Sequence, residues 1–105
     1  MVHFVGAGCG APDLITLRGH RLLQQADQII YAGSLVNPAL LEAAKPGCVI
    51  RNSAQMTLEQ VLESIREAEA IGQTTVRLHT GDPSLYGAVR EQIDALQSEG
   101  ISFDI

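Results

Sequence analysis

Basic side chains are scarce in this 105-residue sequence: seven Lys and Arg stand against twelve Asp and Glu, a formal net charge of −5. Nucleic acid and anionic membrane surfaces demand a basic face, so neither is expected as the main partner. Cysteine is nearly absent. Cys9 and Cys48 lie far apart and form no CxxC pair, so a metal site has no support and reduced thiols in a cytoplasmic protein are the expectation. No apolar run approaches the roughly 20 residues of a membrane span. The amino terminus reads directly as a strand, with no basic leader of a signal peptide. A Ser/His/Asp set, a paired-carboxylate arrangement and an HExxH motif are all missing.

What is present is an ordinary globular composition, 46% hydrophobic and 18% charged, in a length that suits one small domain with a modest core. Val2-His3-Phe4-Val5 reads as a buried strand. A glycine-rich turn, Gly6 to Asp13, then leads into a helix from about Leu14 to Gln25, whose apolar residues recur at helical spacing. Gln28 to Tyr31 is a second short strand. Asn37 caps and Pro38 opens a short helix through Ala44, which Pro46-Gly47 ends. Cys48-Val49-Ile50 is a third strand.

Thr57 caps a long helix, Gln60 completes a capping box, and Met56 and Val61 are placed for a hydrophobic staple. Leu58, Val61, Leu62, Ile65 and Ala68 form its buried stripe, and Gly72 stops it. Its acids, Glu59, Glu63, Glu67 and Glu69, read as a solvated face. The fourth strand runs from Thr74 to His79 with Arg77 as its one charge. A fourth helix, from about Ser84 to Glu99, ends at Gly100, and Ile101 to Ile105 reads as a fifth strand. Alternating strands and helices imply parallel pairing and a three-layer α/β domain with about four helices.

Three strands lead into loops with site-like chemistry, at the carboxyl ends where open α/β sheets collect ligands. The first loop carries Gly6-x-Gly8-x-Gly10. A dinucleotide site wants GxGxxG and an acidic residue ending the second strand, whereas that strand ends Tyr31-Ala32-Gly33, so an NAD site is not supported. The second, Tyr31 to Val36, brings together a phenol, small residues and the hydroxyl of Ser34. The third is His79-Thr80-Gly81-Asp82-Pro83-Ser84-Leu85-Tyr86-Gly87. Gly81 permits close approach of the main chain to a ligand, Asp82 can accept hydrogen bonds or cap the next helix, and Pro83 is preset for a first helical turn. Each loop also reads as a plain strand–turn–helix corner. His3 reads as structural and His20 as an exposed helix position.

Val5-Gly6-Ala7-Gly8-Cys9-Gly10-Ala11-Pro12-Asp13-Leu14-Ile15-Thr16 resembles the glycine-rich signature of the tetrapyrrole (corrin/porphyrin) methylases. Tyr31 to Val36, Ala54 to Glu59 and His79 to Ala88 are similar to their precorrin-4 (C-11) methyltransferase branch. The likeness runs over essentially the whole chain. It implies S-adenosylmethionine (SAM) as methyl donor, no metal bound by the protein, and an anionic, partly reduced tetrapyrrole, precorrin-4 or its cobalt-containing counterpart, as acceptor. It also implies two α/β domains with SAM between them, the amino-terminal one built on parallel strands in the order 3-2-4-1-5. Members continue past the fifth strand into a second, carboxyl-terminal domain. Residues 1–105 are therefore expected to be a single α/β domain, the amino-terminal half of a two-domain methylase, inactive alone and a homodimer when complete.

By the same resemblance Cys9, Gly81, Asp82, Pro83, Leu85 and Tyr86 would line the SAM pocket. Two positions depart from the family's pattern: Cys9 stands where Pro is usual, and Ala11 where an acid is usual. Methyl transfer to an electron-rich carbon depends mainly on positioning in a dry pocket. If a proton must leave the ring, Tyr31, His79 and Asp82 are the candidate acceptors. Substrate carboxylates need donors, and Arg18, Arg21 and Arg51, the N–H groups of Gly8 and Gly10, and the hydroxyls of Tyr31 and Ser34 are the candidates. Another methylase branch, or a non-catalytic module that binds a nucleotide-like ligand, are the alternatives.

Overall fold

The computed structural model describes residues 1–6, 17–31, 38–79 and 86–104. Five strands, β1 (Val2–Gly6), β2 (Gln28–Tyr31), β3 (Val49–Asn52), β4 (Thr75–His79) and β5 (Phe103–Asp104), form one sheet in the order β3-β2-β4-β1-β5. Every neighbouring pair is parallel. The order expected from the family resemblance is the one observed. Parallel pairing forces each connection to cross a face of the sheet, and α1 (Leu17–Gln25), α2 (Leu58–Ala70) and α3 (Tyr86–Ser98) supply that cover.

Strand alternation sorts the core into two clusters. Val5, Ile29, Val76 and Leu78 face α1, packing with Leu23 and Ala26, and Leu40 closes that side. Val2, Phe4 and Ile30 face the other way, against Val61, Leu62 and Ile65 of α2 and Leu96 of α3. Phe4 also meets Phe103 edge to face, with ring centroids 6.0 Å apart, the favoured geometry for two ring quadrupoles.

The capping box at Thr57 is formed: Thr57 Oγ1 accepts from the Gln60 N–H at 3.1 Å, and Gln60 Oε1 accepts from the Thr57 N–H at 2.9 Å. At the far end of α2 the N–H of Gln73 reaches the carbonyl of Ala68 and that of Gly72 reaches Glu69, with Gly72 at φ +72°. This is a Schellman closure. Gly100, also at φ +72°, repeats it after α3, where Ile101 N–H reaches the Leu96 carbonyl.

Four expectations are corrected. The segment after Pro38 is a 3-10 helix, Pro38–Ala43, and not an α-helix. A six-residue segment followed closely by Pro46-Gly47 takes the tighter winding that short pieces favour. The third strand is Val49–Asn52 rather than 48–50, because its span is set by pairing with β2, from Gln28↔Val49 to Tyr31↔Asn52. Leu58 is 40% exposed, and the buried stripe of α2 starts at Val61; Met56 packs against that core cluster in its place. Among the described residues the last strand covers Phe103–Asp104 and does not start at Ile101. The helix starts expected at Leu14 and Ser84, the Asn37 cap and the strand end at Ile105 lie outside the described residues.

The amino ends of the strands are tied together. Main-chain N–H groups of Asp27 and Gln28 reach the Thr74 carbonyl, Val49 reaches Asp27, Thr75 reaches Met1 and Val2 reaches Ser102. The Asp27 carboxylate adds the Thr74 N–H at 2.8 Å and Lys45 Nζ at 2.7 Å. The terminal ammonium group pairs with Glu69.

Candidate functional site

At the carboxyl edge three adjacent strands, β2, β4 and β1, end side by side on Tyr31, His79 and Gly6. Gly6 is paired with His79 in the ladder, and a Cβ built on Gly6 would lie 3.8 Å from His79 Cε1, an ordinary contact distance. Both residues thus use the same face of the sheet. Tyr31 is paired with Leu78 and packs against the cluster that contains Leu78 and Val5, on the opposite face. Tyr31 and His79 are both half-buried.

Beneath this edge lies a polar feature that sequence reading noted only as a lone charge. Arg77 is 5% exposed. Its Nε donates to Gln92 Oε1 at 3.0 Å, its Nη1 to the carbonyls of Ile30 and Leu78 at 3.2 Å each, and its Nη2 to Ser53 Oγ at 3.0 Å. The Ser53 hydroxyl donates to the Tyr31 carbonyl at 3.0 Å. Burial lowers the guanidinium pKa to about 10, so it stays charged at neutral pH. No ion pair to a carboxylate accompanies it among the described residues. The only advance signal was a cation inside a β-branched run; Ser53 and Gln92 gave none.

The candidate carboxylate donors are placed differently from one another. Arg18 Nη2 donates to Asp104 Oδ2 at 2.9 Å, and His3 Nδ1 lies 2.8 Å from Asp104 Oδ1. Burial works against ionisation of Asp104, yet His3 and then Arg18 hold its carboxyl below its ordinary value. His20 is exposed on α1, the position expected for it. Arg21 is exposed as well. Arg51 Nε donates to Gln28 Oε1 at 3.1 Å. It borders a groove of about 520 Å³ between the end of β3 and α2, where Asn52, Gln55, Gln60, Glu63 and Glu67 also contribute. Two carboxylates make that groove a poor seat for a polyanion. Burial pushes the Cys48 thiol up, which disfavours its thiolate.

Tyr86 opens α3. Gly8, Cys9, Gly10, Ser34, Gly81, Asp82, Pro83 and Leu85 lie outside the described residues. Among the described residues no group of three His, Cys, Asp or Glu side chains converges as a metal site, and no helix is long and apolar enough to cross a membrane.

The family description that matches this chain is that of the tetrapyrrole (corrin/porphyrin) methylases, over residues 1–105. The chain belongs to that family. It is 53% identical to the cobalt-precorrin-4 C(11)-methyltransferase of Methanocaldococcus jannaschii, across 99% of this chain and 40% of the relative. To the precorrin-4 C(11)-methyltransferase of Pseudomonas aeruginosa it is 51% identical, across 99% and 41%. Among solved structures, a cobalamin biosynthetic enzyme, cobalt precorrin-4 methyltransferase, superposes with a TM-score of 0.92 at 44% identity, over 99% of this chain and 44% of that one. A uroporphyrin-III C-methyltransferase from Thermus thermophilus complexed with S-adenosylhomocysteine gives a TM-score of 0.77 at 34% identity, over 98% and 42%. The chain thus spans about two-fifths of the length of the curated relatives it matches.

Proposed function

We propose that the chain is the amino-terminal domain of a SAM-dependent methyltransferase that acts at C-11 of a precorrin-4-type tetrapyrrole, metal-free or cobalt-containing, in cobalamin biosynthesis. The observation that carries this reading is the TM-score of 0.92 at 44% identity with a cobalt precorrin-4 methyltransferase over nearly the whole chain. Use of SAM is supported by a neighbour of the same fold complexed with its demethylated product. A second, carboxyl-terminal domain completes the cleft, and the complete enzyme is a cytoplasmic homodimer.

The described residues suit such a donor. Gly6 keeps the end of β1 free of a side chain, and His79 beside it offers a flat ring. The sulfonium of SAM supplies an electrophilic methyl group. Gly81, Asp82, Pro83, Leu85 and Tyr86 hold the donor, with Cys9 at the glycine-rich turn. Asp82 orients the donor. Gly8, Gly10, Tyr31 and Ser34 meet substrate carboxylates, joined by the part of the exposed Arg18 guanidinium that Asp104 leaves open. Exclusion of water and alignment of the acceptor carbon provide most of the acceleration. Tyr31 and His79, which lie on opposite faces of the sheet, are separate candidates to take a proton from the ring.

The test is calorimetric titration of the complete gene product with SAM and S-adenosylhomocysteine. Turnover with precorrin-4 and with its cobalt-containing form follows, and NMR locates the new methyl group. Methylation at C-11 is expected; a methyl at another carbon, or binding without turnover on either substrate, overturns the reading.

A further inference from the structure

The interior of this domain holds a cation that folding alone does not call for. Taking a guanidinium out of water is costly, and apolar side chains of similar volume commonly do as well or better at such positions. Arg77 nevertheless lies between β2, β4, α3 and the turn after β3, engaging Gln92, Ser53 and the carbonyls of Ile30 and Leu78 at 3.0 to 3.2 Å. Ser53 extends the chain of contacts to the Tyr31 carbonyl. The three carbonyls reached belong to the last two residues of β2 and to the residue before the end of β4. From those points the main chain departs toward residues 32–37 and 80–85. One planar group with several donors in fixed directions thereby braces, from one face, two strand ends that the main-chain ladder pairs through Tyr31 and Leu78, a brace that a lysine ammonium on a flexible stem cannot reproduce.

We infer that Arg77, with Ser53 as relay, is a positioning residue that fixes the carboxyl ends of β2 and β4 relative to one another, and through them the geometry of donor binding. Its consequence for binding rests on the proposed function.

The experiment uses the complete gene product with Arg77→Lys, Arg77→Met and Ser53→Ala. Amide hydrogen exchange is followed over residues 28–36 and 76–86, and S-adenosylhomocysteine binding by calorimetry. In Arg77→Lys, exchange in those two segments accelerates while the α2 amides keep wild-type rates, and the Kd rises about tenfold. Ser53→Ala, which keeps the buried charge, gives the same pattern with a rise of about threefold, and decides the matter if the Arg77 variants do not fold. Unchanged local exchange overturns the inference whatever the affinity. Faster exchange with wild-type affinity overturns the positioning role. Failure of the wild-type protein to bind S-adenosylhomocysteine would instead sink the proposed function, and the exchange data alone would then decide whether Arg77 holds the two strand ends.

Discussion

Tyr31 and His79 end neighbouring strands but occupy opposite faces of the sheet. Tyr31 is paired with Leu78, the residue before His79, and packs with the Leu78 side of the core. His79 shares its face with Gly6 and Arg77 by strand alternation.

Two groups separated in this way do not form a proton relay. In the complete gene product, Tyr31→Phe and His79→Gln should each weaken turnover or binding on their own. If no relay joins them, the double mutant should lose no less than the more damaging single variant, whereas a relay would make the second substitution cost nothing once the first is made. Steady-state kinetics of the four-member cycle measures this directly, and strong coupling would contradict the geometry.

Thr57→Ala removes the side-chain acceptor of the α2 capping box and should lower unfolding free energy by about 1 kcal/mol. Urea denaturation of the chain reads it out. Because the Thr57 side chain accepts only from the Gln60 N–H among the described residues, S-adenosylhomocysteine affinity of the complete gene product should not change.

A methyl group at Gly72 or at Gly100 would meet nothing within 4 Å, so crowding is not the obstacle there. The cost is purely conformational: both residues sit at φ +72°, where a Cβ costs on the order of 1 kcal/mol. Gly72→Ala and Gly100→Ala should each destabilise by about that amount, while Gly72→Asn should cost less, since Asn tolerates this region better. Chemical denaturation curves of the three variants test the ranking.

Asp27 gives a pH signature. Its hydrogen bond from Lys45, then the one from the Thr74 N–H, hold the carboxyl below its ordinary value. A carboxylate with a depressed folded pKa contributes stability above its unfolded pKa of about 4, and that contribution disappears as pH falls through the folded value. Asp27→Ala should therefore be less stable than wild type at neutral pH, with a gap that narrows below about pH 4. Thermal midpoints measured from pH 7 to pH 2.5 on both proteins would show whether the curves converge.

Much of this architecture was legible because the signals are local. Thr57 and Gln60 announce a helix start by their spacing, Gly72 and Gly100 mark helix ends, and the β-branched runs mark β1, β2 and β4. The strand order followed from the resemblance carried by the glycine-rich turn and the Gly81-Asp82-Pro83 segment, since order is a non-local property. What escaped detection was also non-local. The span of β3 is dictated by its partner β2, and Val49 and Ile50, 44% and 43% exposed on the sheet's edge, carry no pattern of a buried strand. Leu58 has the spacing of a core residue, but Met56 packs against the core at that end. The Arg77 network joins residues 30, 53, 78 and 92, and no periodicity in one dimension brings such positions together.

The ties among Met1, Asp27, Thr74 and Ser102 leave the sheet anchored along one margin, like a beam built into a wall. At the opposite margin Arg77 and Ser53 are the corresponding fastening between β2 and β4. A ligand that binds the folded protein and not the unfolded chain stabilises it by mass action, so occupancy and melting temperature should rise together. Heat resistance is on that account a direct gauge of ligand capture, and it needs no assay of the chemistry.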